Sequence, residues 1–163
     1  MAPVQHSSLR TLGLAALLLI LILGNPGRGE AQGPQDQLWD AARSGDTLAL
    51  SRALAAGAQI DALDTRRSPN GRRALNWAAI GNQPGAIRFL VAHGAKLDAG
   101  NLTGFTPLHH AAENGSLEAA KVLLELGADR TSRNNAGETA AEVARRTSHP
   151  DVVVAIETGS KAP

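Results

Sequence analysis

Beyond residue 35 the apolar positions of this chain fall in short stretches at helical spacing, separated by turns rich in Gly, Asn, Asp and Pro. The clearest stretch is 117–126. Leu117, Ala120, Val122, Leu123, Leu124 and Leu126 cluster on one side, while Glu118, Lys121 and Glu125 take the other. Just before it, Thr106-Pro107 supplies a capping hydroxyl and a first-turn proline, the start signal of another short helix, which carries Ala111-Ala112. Gly94 and Gly127 end the second helix of two such pairs, where a left-handed residue is cheapest without a Cβ. A helix of about eight residues does not hold together alone in water. Each predicted helix therefore has to bury its apolar side against a neighbour.

The pairs recur. Ala41-Ala42, Ala78-Ala79 and Ala111-Ala112 step by 37 and then 33 residues, and Gly57-Ala58, Gly94-Ala95 and Gly127-Ala128 step in the same way. Leu38, Leu75 and Leu108 each stand three residues before the first alanine of a pair. A period of this size signals a stacked array whose stability is cooperative along the stack. The third copy, Gly104-Phe105-Thr106-Pro107-Leu108-His109-His110-Ala111-Ala112-Glu113-Asn114-Gly115, ends on Leu123-Leu124-Glu125-Leu126-Gly127-Ala128-Asp129 and resembles the ankyrin repeat family.

The resemblance covers about residues 36–158. It implies an all-α solenoid of about four repeats, near 36–64, 70–101, 104–134 and 137–158, followed by a flexible tail over 159–163. By resemblance each repeat is a β-turn finger followed by two antiparallel helices. His109 takes the family's structural role, bonding to backbone and joining neighbouring turns. The second copy departs from the pattern, with Arg73-Ala74-Leu75-Asn76 in place of Thr-Pro-Leu-His. The first keeps only Leu38-Trp39-Asp40-Ala41-Ala42, and the fourth has lost the Pro and the His. Degenerate ends suit terminal repeats whose outer faces meet water.

The first 31 residues read as an address. Arg10 precedes an apolar run, Leu12 to Leu23, which Gly24-Asn25-Pro26-Gly27 breaks. Twelve residues make a helix of about 18 Å, short of a hydrocarbon core of about 30 Å. With Gly29 and Ala31 at the small-residue positions of a cleavage site, this is the layout of a secretory signal peptide. The expectation is export to a bacterial periplasm, or secretion, with only transient membrane contact. An uncleaved membrane anchor is the alternative.

Composition narrows the function. The chain has 163 residues, no Cys and four aromatic side chains, Trp39, Trp77, Phe89 and Phe105. So few aromatics disfavour an all-β fold. Absence of cysteine removes disulfides, thiolate zinc sites and thiol catalysis. A formal charge of +1 does not supply the basic surface that nucleic acid requires. No Gly-x-Ser-x-Gly elbow or phosphate loop occurs, and adjacent His109 and His110 point about 100° apart on a helix. The acidic pairs Asp61/Asp64 and Glu138/Glu142 read as solvated or capping carboxylates. Catalytic residues, cofactors and metals are not expected. A metal-binding or enzymatic array remains the weaker alternative.

The remaining candidates concern a partner protein. The longer step of 37 places four extra residues in the second finger, Asp64-Thr65-Arg66-Arg67-Ser68-Pro69-Asn70-Gly71-Arg72-Arg73, whose arginines flank a turn. Arginine forks grip carboxylates, so the expected partner is acidic, and the chain is expected to be monomeric. Reversing the charges of Arg66 and Arg72 is expected to weaken partner capture without lowering the melting temperature. By resemblance, the partner meets the finger tips and the first-helix surface, a concave face. The matching positions are Arg66, Arg67, Asn70 and Arg72; Leu102, Thr103 and Phe105; Arg133, Asn135 and Glu138. Glu113 and Asn114 sit at the exposed end of the third first helix. Leu102 and Phe105 read as exposed apolar anchors, with packing of Phe105 against the next finger as the equal alternative.

Overall fold

A computed structural model describes residues 32–66 and 69–159. The predicted signal peptide, Arg67 and the tail beyond Gly159 lie outside the described residues. The described chain holds eight helices: α1 Pro34–Ser44, α2 Thr47–Ala55, α3 Ala74–Ile80, α4 Pro84–Ala92, α5 Pro107–Asn114, α6 Leu117–Glu125, α7 Ala140–Arg146 and α8 Pro150–Thr158. They form the four predicted hairpins. One extended bridge, Arg133 to Thr139, crosses the last finger.

Local chemistry sets the ends of these helices. Asp46 caps α2 by accepting from the Ala49 N–H, and Thr106 and Thr139 cap α5 and α7 from their side-chain oxygens. Pro stands in the first turn of α1, α4, α5 and α8, where its missing N–H costs nothing. Gly94 and Gly127 follow α4 and α6 with φ of 91° and 94°, as the sequence implies.

The odd-numbered helices pack in one row and the even-numbered in another, with each helix against the equivalent helix of the next repeat. Equivalent residues thereby become columns through the core. Leu38, Leu75, Leu108 and Ala141 are buried in the first row; Ala53, Leu90, Leu123 and Ile156 are buried in the second. The alanine pairs are buried as well, and their small side chains let the two rows close up. Burying each leucine contributes roughly 2 kcal/mol of transfer free energy, and every one spans two repeats. The stack is therefore stabilised at its junctions as much as inside its units.

Candidate functional site

The fingers join at their tips. Leu102 N–H donates to the Asn70 carbonyl at 2.9 Å, Asn135 N–H to the Thr103 carbonyl at 3.1 Å, and Asn135 Nδ2 to the Leu102 carbonyl at 3.2 Å. Gly104 makes that approach possible. It sits at φ 76°, and a Cβ there would come within 2.6 Å of Asn135 Oδ1 and 2.9 Å of its nitrogen. Fingers two to four thus form one ridge. Asn70, Leu102, Arg133 and Asn135 are exposed on it, while Thr103 and Glu138 are half-buried. Leu102 keeps 57% of its surface in water.

Other predicted residues are turned inward. Phe105 is half-buried, its ring 5.5 Å from His109 and 5.4 Å from His110, so it packs within the stack rather than standing free as an anchor. Glu113 is half-buried with Oε2 3.5 Å from His110 Nδ1, and exposed Asn114 donates Nδ2 to the His110 carbonyl. Glu138 receives Arg146 at 2.8 Å, and Arg133 meets Glu142 at 3.3 Å.

The second finger differs most from expectation. Asp64 is fully buried, not solvated. Its carboxylate accepts from Arg66 Nε at 3.0 Å, Arg66 Nη2 at 3.2 Å, the Arg66 N–H at 3.1 Å and Trp77 Nε1 at 3.1 Å. Arg66 also pairs with Asp36 and lies over the Trp39 ring at 4.6 Å. Arg73 reaches back to the Asp61 and Gly100 carbonyls. The finger's stems are locked by reciprocal backbone bonds, Asp64 N to Arg72 O at 2.7 Å and Arg72 N to Asp64 O at 3.2 Å. Burial acts to raise the Asp64 pKa, but the Arg66 and Trp77 hydrogen bonds outweigh it and hold the carboxyl below its ordinary value. Arg66 is therefore a structural cation. Reversing its charge strikes a buried carboxylate, so the expected neutrality of that change toward stability does not hold. The signal was present in the sequence as Trp77, about one helix turn past the arginine finger, but spacing alone does not show which side chain folds inward.

His109 takes the position that the resemblance implies. Its Nδ1 receives the Thr106 N–H at 3.3 Å and faces the Thr106 hydroxyl at 2.8 Å, which leaves the proton on Nε2 for the Glu138 carbonyl at 2.9 Å. Trp39 does the same job two repeats earlier from the same helical position, donating Nε1 to the Ala62 carbonyl at 3.2 Å. In the second repeat the position is Asn76. Its Oδ1 accepts from the Arg73 N–H at 2.7 Å, but its buried Nδ2 reaches no acceptor among the described residues. The carbonyl it would need is that of Phe105, which accepts Asn101 N–H just as the Glu138 carbonyl accepts Asn134 N–H. Asn76→His is therefore expected to complete the missing bridge and stabilise the stack by about 1 kcal/mol. Urea unfolding checks this, and a loss of stability would show that the third finger does not hold its carbonyl in reach.

Burial lowers the pKa of both His109 and His110; the Glu138 carbonyl opposes this for His109, and Glu113 opposes it for His110, while nearby Arg72 reinforces it there. Both rings are neutral in the fold and take up protons more readily when unfolded. Their contribution is complete above the ordinary histidine value of about 6.5 and is lost as pH falls below it. Each histidine can cost up to ~1.4 kcal/mol per pH unit in that window. Unfolding free energy measured from pH 7.5 to 5 should fall accordingly, and a flat profile would contradict the burial.

Among the described residues no helix is long and apolar enough to cross a membrane. Comparison with known proteins agrees with the repeat architecture. The family described as ankyrin repeats, in three copies, matches residues 38–134. The chain is 34% identical over 111 residues to protein phosphatase 1 regulatory subunit 27 of Mus musculus, 68% of this chain and 70% of that one. It is 38% identical over 108 residues to ankyrin repeat domain-containing protein SAT10 of Stachybotrys chartarum, 66% of this chain but 5% of that protein. It is 32% identical over 112 residues to tyrosine-protein kinase HTK16 of Hydra vulgaris, 68% of this chain and 14% of the kinase. The chain spans a small part of the last two.

Proposed function

The chain belongs to the ankyrin repeat family, and from that premise we propose that it is an exported module that binds a partner protein through its finger ridge and the adjoining first-helix face. Ankyrin repeats are protein-interaction modules and are generally non-catalytic. The observation that carries the choice of face is the hydrogen-bonded ridge, which holds exposed Asn70, Leu102 and Asn135 in fixed register before any partner arrives. Pre-ordered loops forfeit little entropy on binding. Four repeats offer room for a standard contact of about 800 Å². Exposed Asn70 and Asn135, both hydrogen-bonded to the Leu102 backbone, flank the apolar Leu102 side chain, an apolar centre with a polar rim. Export rests on the apolar run Leu12 to Leu23 and the small residues Gly29 and Ala31, with the periplasm or the extracellular space as destination.

Photo-crosslinking tests the face. A photoreactive residue at Leu102 should trap a discrete partner in the native compartment. The same residue at Leu48, exposed on the outer helix α2, should not. Equal trapping at both positions, or none at either, would reject the ridge. Mass spectrometry of the protein from cells tests export: a mature terminus near residue 32 supports it, and one still at Met1 or Ala2 points to a retained anchor.

A further inference from the structure

With Arg66 committed to Asp64 and Asp36, the excess positive charge on this face lies elsewhere. Arg43, from the last turn of α1, and Arg72, from the stem of the second finger, both lie over Trp77, with guanidinium carbons 5.4 Å and 4.9 Å from the ring centre. Among the described residues, these two cations share the indole. Neither forms an ion pair with a carboxylate among the described residues, though the Glu113 carboxylate lies near enough to feel the Arg72 charge, and the buried Arg72 Nε has no hydrogen-bond acceptor there. The indole is buried beneath them, Arg72 is half-buried and Arg43 is exposed. Trp77 attracts both guanidinium groups through its ring face, which fixes their positions and leaves their N–H edges unspent.

We infer that Arg43 and Arg72 form the anchor for an Asp or Glu side chain of the partner protein. This rests on the protein-binding reading above and names the chemistry that face recognises. A carboxylate seated at the edge of this indole would meet the unspent N–H groups of the guanidinium groups and offset their positive charge. The Trp77 wall lowers the water content around the pair, so the contact is stronger than a rim salt bridge. Arg43 was outside the sequence-derived candidates because it is remote from the finger in the chain; only stacking of the first two repeats brings it to Trp77.

A random peptide library displayed on phage and panned against the protein made from its full coding sequence tests the inference. Selected peptides should be enriched in Asp and Glu. Binding of a selected peptide should weaken about tenfold in Arg43→Gln and in Arg72→Gln, and should weaken further as salt rises. Arg88→Gln, on α4 and paired with Glu125, should bind like the parent. Near-UV circular dichroism establishes that each variant keeps its tryptophan environment. Selection of peptides without acidic enrichment, failure to select any, or equal binding by the glutamine variants would overturn the anchor. A trapped partner at Leu102 together with any of those results would leave the binding module standing and remove only its acidic recognition.

Discussion

Asp64→Ala is expected to lower unfolding free energy by about 3 kcal/mol, the usual scale for removing one member of a buried charged pair. The change strips the acceptor from the Trp77 indole N–H and leaves Arg66 with Asp36 alone. It also loosens the first repeat from the second, because Asp64 ties Arg66, which covers Trp39 of the first repeat, to Trp77 of the second. Asp64→Asn retains one acceptor oxygen and should cost less. The folded pKa of Asp64 is lowered, so its contribution is complete above the ordinary carboxyl value of about 3.9 and is lost as pH falls below it. Urea unfolding at pH 7 and at pH 3 should show the wild type and Asp64→Ala converging in acid. A variant as stable as the parent at pH 7 would mean that the carboxylate is solvated after all.

The second large effect separates the middle of the stack from its end. Leu108→Ala empties a position buried between the second and fourth repeats and should cost about 3 kcal/mol. Ile156→Ala removes a comparable buried side chain from the last helix, α8. In a nearest-neighbour array the two losses have different consequences. The first weakens two junctions and should lower the main transition for all repeats together, by about 10 °C. The second weakens one junction and should fray α7 and α8 while α1 to α6 stay protected. Hydrogen exchange followed by peptide mass spectrometry distinguishes them. Uniform loss of protection from Ile156→Ala would show that the whole stack unfolds as one unit.

Much of the architecture was legible from local rules. The capping residues Thr106 and Thr139, the glycines after α4 and α6, and the columns of leucine all follow from short-range chemistry repeated at a fixed step. Glu142, read as a capping carboxylate, accepts the Thr139 N–H at 2.7 Å. His109 sits where the resemblance puts it, because helix position three places its ring beside both its own cap and the next finger. The second finger was legible in outline only. Four extra residues and a turn announce a longer loop, but along the chain Asp64 reads as a solvated or capping carboxylate and Arg66 as a cation for a partner, and nothing there shows that the two pair with each other.

The sequence by itself determined the repeat: where each helix begins and ends, which side it buries, and that no hairpin stands alone. These are consequences of contacts within a few residues or of a periodic pattern, and both are written along the chain. Tertiary structure decided which charges remain available. Asp64 and Arg66 neutralise one another against Trp77 and Trp39, while Arg43 and Arg72 converge on one indole from different repeats. Such pairings depend on distances set by stacking, and a linear order of residues does not encode a distance until neighbouring repeats have closed on each other.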